Sequence, residues 1–276
     1  MKKGTLTNIL LIIVLLVGLS LLLYPSFSEW WNSSRQTQVI TQYAEAVANM
    51  DNEEYNAVLD SAREYNESLM LRYNGYTLEG DQKERYTQEL NYFGDGLMGY
   101  VEIPTIDVML PIYHGVDEQT LQTAVGHLDW SSLPVGGESS HSVISGHRGL
   151  PSARLFTDLD RLVVGDVFLI HVLNQVMTYQ VDKIEIVLPE MVEGLLIHPG
   201  EDYVTMVTCT PYGVNTHRIL VRGTRIANAE ETKVLRVTAD AVQIEPLVVA
   251  PMLAAPLLLV LLIVLLIPNP KKKKEE

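Results

Sequence analysis

Two uncharged apolar runs stand near the two ends of the chain, at residues 5–24 and 247–267. Each is close to the ~20 residues that a helix needs to cross a bilayer. Lys2 and Lys3 precede the first run, and lysines 271–274 follow the second. Short lysine-bearing flanks stay on the cytoplasmic side, so the pattern predicts a hairpin with both ends inside and residues 25–246 outside. A cleaved signal peptide is the alternative for the first run, but its apolar part is long for one and no A-x-A-like site follows. Pro251 and Pro256 lie in the second run, and a transmembrane helix tolerates them better than a soluble one.

Between the runs the period changes twice. Over 28–71, apolar or aromatic residues recur at spacings of three and four: Ile40, Tyr43, Val47 and Met50, then Val58, Ala62, Tyr65 and Leu69. That is one buried helical stripe, and Asp51 with Glu54 three residues on marks a helix start, so two helices meeting near residue 51 are expected. Residues 72–98 show no period, are rich in tyrosine and carry Gly75, Gly80, Gly94 and Gly96. They are expected to form a long loop and are a candidate lid. From Gly99 the chain breaks into short β-like runs at 100–103, 108–113, 142–145, 167–173, 178–187, 204–209 and 218–225, with brief helical interruptions near 118–125 and 153–159. Many strands without long intervening helices predict a mainly β domain, a barrel or a sandwich.

Charge narrows the partners. The 20 basic and 34 acidic residues become 14 and 32 once the six terminal lysines and the two terminal glutamates are set aside, a net of −18 for the exposed part. Such a surface repels nucleic acid, which excludes a phosphate-backbone partner. Cysteine usage narrows the chemistry. Cys209 is the single cysteine, whereas exported proteins ordinarily pair theirs as disulfides, so it is either a buried small hydrophobe or a reactive thiol.

Its surroundings favour the thiol. In 204–225 an apolar strand closes on Cys209, Pro211-Tyr212-Gly213 supplies a turn, and Arg218 opens the next strand. Pairing of those strands sets a guanidinium beside the thiol, where it stabilises a thiolate and then an oxyanion. Proton transfer to and from an amine calls for a histidine. Of the seven histidines, His147 lies between Gly146 and Gly149 directly after an apolar run, and His217 adjoins Arg218. Neighbouring residues of a strand point to opposite faces, which favours His147 without deciding against His217. No cluster of His, Cys and Asp suggests a metal, and no cofactor is called for.

The stretch from Thr208 and Cys209 through Thr210-Pro-Tyr-Gly-Val-Asn-Thr-His-Arg218 resembles the active-site strand and loop of class C sortases, the pilin-polymerising branch. Gly146-His-Arg-Gly149 with Leu155-Phe-Thr-Asp-Leu159 resembles their histidine loop, and Met98-Gly-Tyr-Val-Glu-Ile-Pro104 and Leu110-Pro-Ile-Tyr-His-Gly115 their opening strands. The resemblance spans roughly residues 30–226. It implies an eight-stranded sortase barrel preceded by helices and flanked here by two transmembrane helices. It also implies Cys209 as nucleophile, His147 as general acid and base, Arg218 as oxyanion and positioning residue, and Thr208 as a residue shaping the substrate site.

The reaction so implied is transpeptidation of an LPxTG-type sorting signal on a pilin or surface protein, with a pilin lysine or a cell-wall precursor supplying the acceptor amine. The cell membrane anchors the enzyme, and the catalytic domain faces outward. One departure is visible. Class C relatives usually carry an Asp-Pro-aromatic lid motif, whereas no proline occurs here between Pro25 and Pro104, Asp81 precedes Gln82 and Asp95 precedes Gly96; the lid is then expected to be shorter, differently anchored, or held by Tyr73 or Tyr76.

The expected organisation is a cytoplasmic start and anchor over 1–27, helices over 28–71, the lid over 72–98 and the catalytic barrel over 99–226. A linker over 227–246 and a second anchor with its lysine tail over 247–276 complete it. A papain-like cysteine hydrolase would place an Asn or Asp behind the histidine rather than a guanidinium beside the cysteine, and a non-enzymatic surface domain would bury the thiol.

Overall fold

A computed structural model describes residues 3–70 and 78–228, with four isolated positions between 254 and 260. Apart from those four positions, the second apolar run lies outside the described residues, as do its lysine tail, the 227–246 linker beyond Asn228, and Tyr73 and Tyr76 of the expected lid. The chain divides into two units, one holding residues 1–30 and 234–276 and the other 31–233.

Helix α1 (Lys3–Ala48) contains the first apolar run and continues through Pro25, so the expected boundary between anchor and helical segment is not a break in secondary structure. Its 8–48 portion is the one helix among the described residues long and apolar enough, by length and composition, to cross a membrane. The expected break near residue 51 is present: α2 (Asn52–Met70) follows, and the Asp51 carboxylate accepts from the Glu54 amide at 2.8 Å, capping the new helix. In the 31–233 unit the predicted stripe faces inward. Ile40, Tyr43, Val47, Ala62, Tyr65 and Leu69 are buried, and Met50 and Val58 pack at the edge of the core. Polar contacts fix how the helices seat. The Tyr43 hydroxyl donates to Met98 O at 3.0 Å and accepts from Leu173 N at 2.7 Å. The Asn66 amide pairs with both backbone groups of Leu133.

The expected loop over 72–98 holds a helix. Helix α3 (Asp81–Gln88) presents one buried residue, Tyr86, and so short a helix with a single apolar anchor leaves no periodic trace in the sequence. Its docking is polar as much as apolar. Tyr86 Oη lies 3.0 Å from His127 Nδ1 and receives the Gly115 amide at 3.1 Å, and His114 reaches Glu89 O at 2.8 Å and Gly96 O at 2.9 Å.

Eight strands follow: β1 (Leu97–Ile103), β2 (Val108–His114), β3 (Val125–His127), β4 (Ser140–Ser145), β5 (Val167–Val172), β6 (Gln175–Val187), β7 (Asp202–Thr210) and β8 (His217–Ile226). They close into a barrel in the order β1-β2-β3-β4-β7-β8-β6-β5. This resolves the barrel-or-sandwich alternative, and closure leaves no sheet edge exposed. Strand β3, three residues long, was not visible as an alternating pattern because period two needs more residues than that. The interruption expected near 118–125 is helix α4 (Glu118–Leu121), whereas 153–159 forms turns that lead into a single 3-10 turn at Leu159–Arg161.

Most of the apolar interior belongs to one cluster that runs through the barrel to the helices. A second, smaller cluster of Val143, Leu195, Val207 and Leu220 lies apart from it. On β7, Val204 and Met206 belong to the first cluster and Val207 to the second, so even-numbered residues point in and odd-numbered ones out.

Two buried histidines tie outer segments to this frame. His127 Nε2 faces Ser132 O at 2.8 Å, so that nitrogen carries the hydrogen and Nδ1 accepts from Tyr86. His141 Nδ1 donates to Leu196 O at 2.8 Å and its Nε2 meets the Thr205 hydroxyl at 2.7 Å. Burial holds their protonated forms down, to about 3 for His127 and about 4 for His141, against 6.5 in the open chain. The unfolded chain therefore binds more protons below pH 6.5, and the stability that both rings contribute is complete above 6.5 and lost as pH falls below it. Acidification from pH 7 to 5 is expected to remove about 2 kcal/mol per histidine, at ~1.4 kcal/mol per pH unit. Urea midpoints at the two pH values measure it. His141→Gln should flatten the dependence, and an unchanged slope in that variant would count against the burial argument.

Candidate active site

The site is built by three neighbouring strands. β4 runs parallel to β7, with Val143 opposite Thr205 and Ser145 opposite Val207. β8 runs antiparallel to β7, with Cys209 opposite Arg218 and Thr210 opposite His217. Cys209 and Arg218 are therefore direct cross-strand partners, on the face that carries Val207 and Leu220. On its other side Arg218 pairs with Val187 of β6.

His147 enters from β4. The strand ends at Ser145, but the ladder goes one step further, because the Gly146 amide donates to Val207 O at 3.1 Å. His147 follows two residues past the Ser145–Val207 pair, and continuing that register sets it level with Cys209. Gly146 is required here, since a Cβ would come within 2.9 Å of Phe156 and 3.0 Å of Val125. The loop then folds onto the Leu155–Leu159 stretch noted in the sequence: the Phe156 amide donates to His147 O at 3.2 Å, and the Gly149 amide to Thr157 Oγ1 at 3.1 Å.

The imidazole is partly exposed. Its Nε2 is shielded from solvent, has no hydrogen-bond partner among the described residues, and lies 4.0 Å from Glu118 Oε2. The Glu118 side chain is itself largely exposed, so it exerts only a screened influence on the ring. Cys209 is a free, half-buried thiol. The Arg218 guanidinium is held through Nη1 by Asn215 O at 3.3 Å and His217 O at 3.1 Å. His217, one residue out of phase, lies opposite Thr210 rather than Cys209, and its Nδ1 contacts the Thr216 hydroxyl at 2.9 Å. Thr208 is buried on the inward face, where its hydroxyl donates to Gly146 O at 2.7 Å. It meets the base of the histidine loop.

Below these residues lies the smaller apolar cluster. Val143, Val207, Leu220 and Leu195, all buried, form an apolar floor with the part-exposed Leu128, Trp130, Val187 and Val192 packed against it. The segment between β6 and β7, with a 3-10 turn at Glu193–Leu195, supplies part of it, and His141 pins that segment through Leu196. Sequence reading did not single out this floor, because its members come from distant strands. Nor did it single out Arg148, whose side chain is almost wholly buried between the two active loops. No group of three or more His, Cys, Asp or Glu residues placed to hold a metal ion occurs among the described residues.

The sortase domain family matches residues 101–226. Among solved structures, sortase C1 from Streptococcus agalactiae is 48% identical, with 69% of this chain and 99% of that chain aligned at a TM-score of 0.68. Sortase C from Streptococcus pneumoniae is 45% identical over 69% of this chain and 97% of that one, at a TM-score of 0.63. Of the curated proteins, Sortase A of Streptococcus agalactiae serotype III (strain NEM316) is 31% identical over 128 residues, and the match spans about half the length of that relative, 51%. With a closed eight-stranded barrel and nearly half of its aligned residues shared with sortase C1, this chain belongs to the sortase family, in its class C branch.

Proposed function

We propose that the chain is a transpeptidase that cleaves an LPxTG-type sorting signal between threonine and glycine and transfers the acyl group to an amine through a thioester on Cys209. The observation that carries the reading is the cross-strand pair of Cys209 and Arg218 on β7 and β8, with His147 two residues past the end of the neighbouring strand β4. In the first half, the Cys209 sulfur, as thiolate, attacks the threonine carbonyl carbon. The oxygen gains the negative charge, and the Arg218 guanidinium meets it. Collapse of that intermediate breaks the C–N bond, the glycine nitrogen takes a proton from His147 and departs, and the acyl group stays on sulfur. In the second half, an incoming amine loses a proton to His147 and attacks the thioester carbon, and Cys209 leaves as thiolate.

The part-exposed side chains packed on the apolar floor, Leu128, Trp130, Val187 and Val192, would meet the leucine and proline that precede the reacting threonine, since aliphatic side chains gain from apolar contact. Thr208 acts on the site through Gly146 rather than by touching substrate. The acceptor is a lysine of a pilin subunit. That choice is supported by the class C relatives, one of which is described for its pilin substrate specificity and another, at 42% identity, as sortase C1 of a pilus island. A cell-wall precursor amine is the second acceptor. The enzyme is held at the cell membrane by both apolar runs, with the barrel outside, and residues 72–98 with the helix α3 they contain restrict access to the cleft. The strongly acidic exterior fits a basic partner better than an anionic one.

Cys209→Ala is expected to abolish cleavage of an LPxTG-type peptide while leaving the thermal midpoint nearly unchanged. Substantial turnover by that variant would end the reading. His147→Ala should lose nearly all transpeptidation, whereas His217→Ala, opposite Thr210, should keep most of it; the reverse result would overturn the face assignment. Arg218→Lys, which keeps the charge but not the paired donors, is expected to lose on the order of 100-fold in kcat. A near-normal rate would reduce Arg218 to a structural charge.

A further inference from the structure

We infer that Arg148 is a positioning residue for catalysis, holding the histidine loop in register with the nucleophile strand. This rests on the roles proposed above for Cys209 and His147.

Past Ser145 the β4 strand ends, yet His147 must stay beside Cys209 for proton transfer. Two side-chain hydrogen bonds bracket that pair. One step before it, Thr208 Oγ1 donates to Gly146 O at 2.7 Å. One step after it, Arg148 Nη1 donates to Thr210 Oγ1 at 3.2 Å. In strand numbering the contacts run 146 with 208 and 148 with 210, leaving 147 with 209 between them. Arg148 thus continues by side chain the ladder that the backbone has abandoned.

The guanidinium is fastened on two further sides. Its Nη2 donates to the Asp160 carboxylate, in the 3-10 turn after the histidine loop. Its carbon lies 5.9 Å from the centre of the Tyr212 ring, in the loop after Cys209. The same ring closes over Gly149, where a Cβ would come within 3.0 Å of it and where φ is +78°. A guanidinium serves this position because its planar fork reaches Thr210 and Asp160 at once from fixed directions, which an ammonium cannot reproduce. With only 9% of the side chain exposed, the charge is shielded from water and the geometry is stiff. A displacement of His147 by about an ångström is enough to cost on the order of 100-fold in rate.

The test uses the full chain in detergent with one LPxTG-type peptide and an amine acceptor. Arg148→Met is expected to lower kcat by about 100-fold, with KM within about threefold because the apolar floor is untouched. Arg148→Lys should fall between parent and Met variant. Thr210→Val removes only the acceptor and keeps the Asp160 pair, so it reports even if Arg148→Met fails to fold; it should cost on the order of tenfold in kcat. A second readout separates positioning from general loosening. Alkylation of Cys209 by iodoacetamide should slow in Arg148→Met to the rate of His147→Ala, with no further change when the two substitutions are combined.

Parent-like kcat in folded Arg148→Met or in Thr210→Val overturns the inference, as does an Arg148→Met effect on alkylation that persists undiminished in the His147→Ala background. If Cys209→Ala or His147→Ala itself retains turnover, the proposed function is at fault instead.

Discussion

The pairing of β7 with a parallel strand on one side and an antiparallel strand on the other is the constraint on which the site depends. A parallel neighbour brings the end of β4 to the same rim of the barrel as the end of β7, so that the loop carrying His147 leaves from the strand next to the one that carries Cys209. An antiparallel neighbour brings the start of β8 to that rim, so that Arg218 lies directly across. Neither arrangement alone gathers an imidazole loop, a thiol and a guanidinium at one rim. Strand alternation does the rest for Cys209 and Arg218, placing both on the face that looks away from the barrel core.

The two faces of the β4–β7–β8 wall divide the labour. The outward face carries Cys209, Arg218 and the small apolar floor. The inward face carries the fastenings: Thr208 to Gly146, Arg148 to Thr210, and the packing of Phe156 where Gly146 has no side chain. Reactive groups must be reachable and so cannot be locked by deep burial, whereas hydrogen bonds on the buried side are not exposed to competition from water. Precision is thus supplied from behind. The same logic applies at the periphery, where His141 secures the β6–β7 segment to β7 and His127 with Tyr86 secures α3 to the β2–β3 side. Both rings serve as neutral donors and acceptors because burial keeps them unprotonated at ordinary pH.

Much of this was legible in the sequence. The helical stripe from Ile40 to Leu69, the cap at Asp51 and seven of the eight strands follow from periodicity and turn chemistry, because each is a local property of a short stretch. The solitary cysteine after an apolar strand, with an arginine past a Pro-Tyr-Gly turn, exposed the Cys209–Arg218 pair, since a hairpin's register is set by its own loop. Helix α3 and strand β3 escaped, the first because a single buried tyrosine makes no stripe and the second because three residues make no alternation. The choice between His147 and His217 stayed open, because it turns on a pairing between strands some sixty residues apart, Ser145 with Val207.

By itself, then, the sequence determined most of the elements and the arginine placed opposite its one cysteine, along with the uncharged runs suited to a membrane. Tertiary structure alone decided closure into a barrel and the partner of β7, the strand that the His147 loop follows. It also decided the apolar floor gathered from four separate segments and the clamp at Arg148. The physical reason is the range of the interactions. Periodicity, capping and turns act within a few residues and leave their mark in order along the chain. Strand register between distant segments and the enclosure of a guanidinium exist only once the barrel has closed.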